Sequence, residues 1–227
     1  MHKYERVRDA LSETLEHSAP GTQIPTEKEL AEQFGVSAMT VRRALQILTE
    51  AGRLRGIPGR GTFVAAPRVT KMMSASNSFS DAMKASGRTP GSQLVEATMR
   101  PAGREEAERL QIPEGGLIFT IQRVRLGDGT PLGFESATLN ASLLPGLLAH
   151  DLRGSLYETI ALKYHLDIKR TGLVVSARLP TPYEAELLEI GPGTPCLQTV
   201  VTSQTGSGSV LEHTTSLFRG DLYEVGV

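Results

Sequence analysis

Cysteine is nearly absent from this sequence. Cys196 is the single one, so no intramolecular disulfide can form, which fits a reducing compartment such as the cytoplasm. Long hydrophobic runs are missing too, and no apolar stretch approaches the roughly 18–20 residues that span a bilayer. The N-terminal MHKYERVRDAL is charged and amphipathic, without the apolar core of a signal peptide. These absences lead us to expect a soluble, cytoplasmic protein. Net charge is small, −1 over 227 residues, so the whole chain is not a polycation. The histidines, His2, His17, His150, His165 and His213, show no metal-ligand spacing, and neither a metal nor another cofactor is expected. No G-x-S-x-G, P-loop or dinucleotide fingerprint is present. No nucleophile–base pair stands out, which argues against an enzyme.

What is present is unevenly placed. Hydrophobic residues make up 39%, enough for a packed core. Residues 1–69 carry 10 Lys/Arg against 8 Asp/Glu, and the remainder carries 14 against 17. Residues 42–60 hold five arginines and one acid, Glu50. A local basic patch on a nearly neutral chain points to a nucleic-acid contact.

Local patterns around that patch are specific. Tyr4, Val7, Leu11 and Leu15 recur at helical spacing, and SAPG at 18–21 ends the run. Thr26 and Glu29 form a T-x-x-E capping box, with Leu30, Ala31 and Phe34 as the inward stripe. Gly35 suits a left-handed C′ position, and Ser37 suits the next N-cap. The third helix turns Val41, Ala44, Leu45 and Leu48 inward and leaves Thr40, Arg42, Arg43 and Gln46 mostly outside. LRGIPGRGTFV, 54–64, reads as a β-hairpin with Arg60 between Gly59 and Gly61 at its tip. Three helices and a hairpin make a winged helix-turn-helix. Ser37, Thr40, Arg42 and Arg43 would face base edges and phosphates, with Lys28 and Arg60 adding contacts. The alternative is a three-helix bundle with a solvated basic face.

PTEKELAEQFGVSAMTVRRALQILTEAGRLRGIPGRGTFV, 25–64, resembles the DNA-binding domain of GntR-family transcriptional regulators. The resemblance implies DNA contacts at Lys28, Ser37, Thr40, Arg42 and the Gly59-Arg60-Gly61 wing, while Arg43 reads equally as a phosphate contact or a solvated side chain. Two positions depart from the family pattern. Lys28 stands where arginine is usual and loses the bidentate fork. Ala38 stands where arginine is very common and loses that contact.

After a polar stretch the chain becomes β-rich, with turn signals at Asp128-Gly129 and TGSGS. Helical patches are expected at 79–86, 104–110, 156–164 and 183–190. The whole reads as α+β: a winged helix-turn-helix at 1–66, a linker at 67–75, and an α+β domain with a mainly antiparallel sheet at 76–227. Arg123 and Arg125 share one strand face with Phe119 and Ile121. They suit a buried anion site, or else two exposed arginines guarding an edge strand; spacing alone leans to the edge. Cys196 reads as a buried small hydrophobe, and Met72, Met73 and Met83 as packing residues.

SFSDAMKASGRTP, IFTIQRVRLGDGTPLGFESATL, SLYETIALKYHL and LEHTTSLFRGDLYE are similar to the UTRA effector-binding domain of the HutC branch of that family. The resemblance implies an effector pocket at Phe79, Ser80, Arg123, Arg125, Glu135, Ser155, Tyr157, Glu212 and Phe218. Phe218 stands where amino-sugar-phosphate sensors carry a tyrosine. The implied function is a regulator, a repressor by expectation. It would bind a palindromic double-stranded operator as a homodimer, with ligand changing the separation of the DNA-binding heads through the linker. The implied effector is a small anion, first a phosphorylated amino sugar such as glucosamine-6-phosphate or N-acetylglucosamine-6-phosphate. Other sugar phosphates follow, then a carboxylate such as urocanate. A sugar-phosphate enzyme and an effector-independent DNA binder are the rival classes.

Strand geometry adds a constraint. A symmetric two-residue turn at Asp128-Gly129 would pair Arg123 with Phe134 and send Glu135 to the opposite face. If Glu135 shares the pocket, the loop must be three residues or the hairpin must carry a bulge.

Overall fold

The computed structural model describes residues 2–57, 59–65, 68–72 and 78–226. The chain divides into two compact units, Met1–Arg68 and Val69–Val227.

The first unit opens with α1, Lys3–Glu16, whose Val7, Leu11 and Leu15 are buried. α2, Glu27–Phe34, starts at the expected capping box: the Thr26 hydroxyl accepts from Glu29 N, and the Glu29 carboxylate accepts from Thr26 N at 2.7 Å. Gly35 closes it at φ 62°, a left-handed end. α3, Ala38–Glu50, begins two residues later on the Ser37 cap and buries Val41, Ala44, Leu45 and Leu48. β1, Leu54–Ile57, and β2, Gly61–Val64, form the hairpin. Pro58, in the expected hairpin turn, lies outside the described residues. Leu54 and Val64 join the three helices in one core, and each fully buried aliphatic there contributes roughly 1.5–3 kcal/mol.

The second unit is built on six antiparallel strands: β4 (Pro90–Pro101), β5 (Leu117–Gly127), β6 (Thr130–Asn140), β7 (Ile168–Arg178), β8 (Cys196–Thr205) and β9 (Val210–Arg219). Their spatial order is β4-β5-β6-β9-β8-β7. Four helices connect or flank them: α4 (Phe79–Ala85), α5 (Arg104–Leu110), α6 (Leu156–Tyr164) and α7 (Pro182–Leu187). α7 stops short of the expected 190, and Glu189 takes φ 54°. Phe119, Ile121, Ala137, Leu139 and Leu211 cluster with Leu156 and Ile160 of α6. Val124, Phe134, Cys196 and Leu217 cluster with Leu188. Cys196 and Met83 are buried. Met73 lies outside the described residues.

The linker expectation needs correction. Val69–Met72 is β3, paired in parallel with Tyr223–Gly226, β10. Thr70 Oγ1 donates to Glu224 Oε1 at 2.6 Å across that pair. Four of the expected linker residues are therefore strand, because their hydrogen-bond partners arrive from the far end of the chain. Residues 66, 67 and 73–77 lie outside the described residues. Among the described residues no helix is long and apolar enough to cross a membrane.

The β5–β6 hairpin carries the irregularity its pocket requires. Asp128 and Gly129 take φ 51° and 79°, as a two-residue type I′ turn demands. The register then slips: Leu126 faces Pro131, but Arg125 faces Gly133. Leu132 is the extra, fully buried residue. Arg123 thereby pairs with Glu135 instead of Phe134.

Candidate functional site

Two surfaces carry the candidate residues, one in each unit. In the first unit, the N-terminus of α3 presents two hydroxyls. Ser37 Oγ accepts from Thr40 N at 3.3 Å and lies 2.9 Å from Thr40 Oγ1. Arg42 is exposed and forked onto Glu27, with Nη2 2.8 Å and Nε 3.1 Å from Oε2. That pair holds the Glu27 carboxyl below its ordinary range. Both partners are solvent-exposed, so its value is orientation more than stability. Arg43 Nη1 donates to Gln46 Oε1 at 3.3 Å, and Gln46 Nε2 donates to Glu50 at 2.8 Å. Lys28, Ala38, Gly59, Arg60 and Gly61 are exposed.

The wing is braced from an unexpected side. Gln23 Nε2 donates to the Arg60 carbonyl at 3.1 Å. A Cβ on Gly61 would stand 2.6 Å from that nitrogen, and Gly61 adopts φ 114°. Only glycine meets both conditions. Sequence reasoning missed Gln23 and Glu27; Glu27 was adjacent to the capping box, whereas Gln23 gave no local signal.

In the second unit a cavity of about 60 Å³ lies on one face of the sheet. Eight of the nine residues expected of an effector pocket line it: Phe79, Arg123, Arg125, Glu135, Ser155, Tyr157, Glu212 and Phe218. Ser80 stands beside it, its hydroxyl accepting from Arg125 Nη2 at 3.3 Å. Strand pairing explains the convergence. Arg123, Glu135, Ser216 and Thr199 form one row across β5, β6, β9 and β8. Arg125, Gly133 and Phe218 form the neighbouring row. A Cβ on Gly133 would come within 2.4 Å of Phe218 Cδ1, so this glycine makes room for the ring.

The edge-strand alternative for the arginines is overturned. β5 lies between β4 and β6, and Arg123 and Arg125 are 2% and 3% exposed. Their roles differ. Arg123 Nε donates to Glu135 Oε1 at 3.0 Å and Nη2 donates to the same oxygen, while Nη1 donates to the carbonyls of Leu152 and Gly154 at 2.9 and 3.1 Å. It is fully engaged. Arg125 has the Ser80 hydroxyl and a distant Glu135, 3.9 Å from Nη1. Its Nε and Nη1 are buried without a hydrogen-bond partner among the described residues. Burial pushes this guanidinium down to about 10, with Arg123 adding to the shift and Glu135 opposing it. It stays charged at neutral pH. A buried cation with unanswered donors has the chemistry to hold an anion.

The opposite wall is a hydroxyl cage around Glu212. Tyr157 Oη donates to Glu212 Oε1, Ser203 Oγ donates to the same oxygen at 2.9 Å, and Thr214 Oγ1 donates to Oε2 at 3.0 Å. Burial raises the Glu212 carboxyl above its ordinary range, and the three hydroxyls work against that rise. Burial and the neighbouring Glu212 push the Tyr157 phenol up. Ser155 Oγ caps α6 by accepting from Glu158 N at 3.3 Å.

Five polar lining residues were missed: Ser78, Arg170, Thr199, Thr214 and Ser216. Thr214 and Ser216 were legible, since they lie in phase between Glu212 and Phe218 on one strand. Arg170 was not, because β7 slips register between Arg170 and Gly172. Among the described residues, no group of three His, Cys, Asp or Glu is placed to hold a metal.

Comparison with known proteins assigns a family model to each unit. Residues 3–64 match the model of bacterial regulatory proteins of the gntR family, and residues 85–224 match the UTRA domain. The chain is similar to the HTH-type transcriptional repressor NagR of Bacillus subtilis, 35% identical over 90% of this chain and 84% of that protein. It is 33% identical to a histidine utilization repressor of Pseudomonas putida, over 90% of this chain and 82% of the relative. The crystal structure of PhnF from Mycobacterium smegmatis superposes with a TM-score of 0.72 at 32% identity, covering 97% of this chain and 98% of the other.

Proposed function

From the premise that this chain belongs to the gntR family of bacterial regulatory proteins and carries a UTRA domain of the HutC type, we propose that it is an operator-binding repressor controlled by a small anionic metabolite. Members of this family are DNA-binding transcriptional regulators and not enzymes. The relatives above carry the name repressor, which supports that sign of regulation. The chain acts as a homodimer in the cytoplasm, because one helix-turn-helix reads one half-site of a palindrome. Ser37, Thr40, Arg42 and Arg43 of α3 serve the major groove and its phosphates. Lys28 and the Gly59-Arg60-Gly61 wing grip the backbone alongside.

The observation that carries the effector half is Arg125, charged and buried, with Nε and Nη1 unpartnered among the described residues beside a cavity. The hydroxyls and carboxylates around Tyr157 and Glu212 suit sugar hydroxyls or an amide at the other end. A phosphorylated amino sugar, glucosamine-6-phosphate or N-acetylglucosamine-6-phosphate, fits this polarity best. A guanidinium fork also suits a planar carboxylate, so urocanate belongs in the same screen.

Thermal shift of the full chain against sugar phosphates and small carboxylates tests the reading. At least one anion should raise the midpoint of the parent, and Arg125→Ala should abolish that rise. A panel without a hit, or a hit that survives in Arg125→Ala, overturns the effector assignment. Arg42→Ala should weaken operator binding strongly in a mobility-shift assay; unchanged binding would remove α3 from the groove.

A further inference from the structure

Among the described residues, Arg125 is not the only unanswered buried donor near this cavity. Tyr223, on β10, is 1% exposed. Its hydroxyl is buried without a hydrogen-bond partner among the described residues. Its ring lies flat on Phe218, centroids 4.1 Å apart and planes 8° from parallel. Phe79 is a third parallel ring, 6.2 Å from Phe218 and 6.5 Å from Tyr223. The Arg125 guanidinium sits over Phe79, 4.6 Å from its centroid. One guanidinium and three rings thus form a single block: Arg125, Phe79 and Phe218 line the cavity, and Tyr223 packs against Phe218 just outside that lining. Among the described residues, three buried polar atoms of the block lack hydrogen-bond partners: Arg125 Nε, Arg125 Nη1 and Tyr223 Oη.

An unpaired buried hydroxyl destabilises a folded protein, whereas phenylalanine would give the same stacking without that cost. The retained oxygen therefore asks for a partner from outside. Burial raises the Tyr223 phenol, and the charges of Arg125 and Arg170 pull it back. It remains a neutral donor at ordinary pH. A carboxylate offers two oxygens, which the Arg125 fork can satisfy by itself. A phosphate monoester offers three, and its third oxygen needs a further donor close to that fork.

We infer that Tyr223 is a specificity-determining residue of the effector site, donating its hydroxyl to the third oxygen of a phosphate monoester whose other oxygens engage Arg125. This rests on the effector reading above and narrows it from anions in general to phosphate esters.

The test is calorimetric titration of the full chain with glucosamine 6-phosphate, glucose 6-phosphate and urocanate, for the parent, Tyr223→Phe and Arg125→Ala. The parent should bind at least one ester, and Arg125→Ala should lose it. Tyr223→Phe should bind about 10- to 100-fold more weakly, the range for a hydrogen bond to a charged group. Its unliganded unfolding midpoint should hold or rise by about 2–4 °C, because the unpaired hydroxyl is gone. If Tyr223→Phe binds within twofold of the parent while Arg125→Ala fails, the effector reading stands and this inference falls. A lowered midpoint in Tyr223→Phe also overturns it, since the hydroxyl would then have a partner in the unliganded protein. A parent that binds neither ester but binds urocanate refutes the phosphate choice; a parent that binds no anion removes both readings.

Discussion

Replacing Arg125 with methionine should make the unliganded protein more stable. The side chain is 3% exposed, so its charge is held away from water. A drop from the ordinary 12.5 to about 10 corresponds to a penalty of roughly 3 kcal/mol, at about 1.4 kcal/mol per pH unit. Its sign follows from proton binding. Between about pH 10 and 12.5 the unfolded chain holds a proton that the folded chain has lost, so stability rises with pH there. Below about 10 both states are charged and the penalty is fully present. Methionine removes the charge and fills much of the same volume. Against the gain stands one long hydrogen bond, 3.3 Å to Ser80, worth about 1 kcal/mol. Glu135 keeps Arg123 as its partner. The net effect is about 1–2 kcal/mol of added stability, or a rise of roughly 2–8 °C in midpoint for a unit of this size. Differential scanning calorimetry of the full chain at pH 7.5 reads it directly. A midpoint lowered by several degrees would mean that Arg125 is a structural cation with satisfied donors, and the anion site would lose its main support.

Three further perturbations probe neighbouring features. Gly133→Ala puts a Cβ 2.4 Å from the Phe218 ring and should cost about 1–3 kcal/mol in urea unfolding; adding Phe218→Leu should recover part of it, and no recovery would acquit the ring. Glu184, 11% exposed beside Arg178, is held down at about 2 by the Arg178 hydrogen bonds, with burial opposing. Its stabilisation is present above pH 4.5 and fades as pH falls toward 2, so the deficit of Glu184→Gln should shrink below about pH 5; a pH-independent deficit would contradict this. Glu27→Gln should release Arg42 to phosphates and tighten binding to a random duplex, about threefold or more at 0.1 M salt by fluorescence anisotropy; unchanged affinity would show that the ion pair exerts no restraint.

The first unit was legible almost residue by residue because its instructions are local. Thr26 and Glu29 sit within one helical turn, as do Ser37 and Thr40, and the buried stripe of α3 repeats within the helix itself. The cavity was legible from the resemblance and from the two-residue period of strands. Glu212 and Phe218 lie in phase, and the residues between them could have been read from that phase. What escaped depended on distant partners. Val69–Met72 looks like linker until Tyr223–Gly226 pairs with it, and nothing near either segment announces the other. Arg170 was hidden by a register slip. Tyr223 was hidden because its role depends on a ring five residues earlier and a guanidinium on another strand.

The extra residue at Leu132 has a consequence for comparing related chains. Arg123 and Glu135 are separated by eleven residues, and direct pairing across a hairpin makes that a question of parity. An odd separation closes on a three-residue loop without irregularity, or on a two-residue loop with one residue displaced along the strand. This chain uses the second solution. A relative could use the first and present the same ion pair to its ligand. Gaps anywhere between Asp128 and Leu132 would then be interchangeable for function. The parity of the count from arginine to glutamate, and not the place of any insertion, is what preserves the pairing.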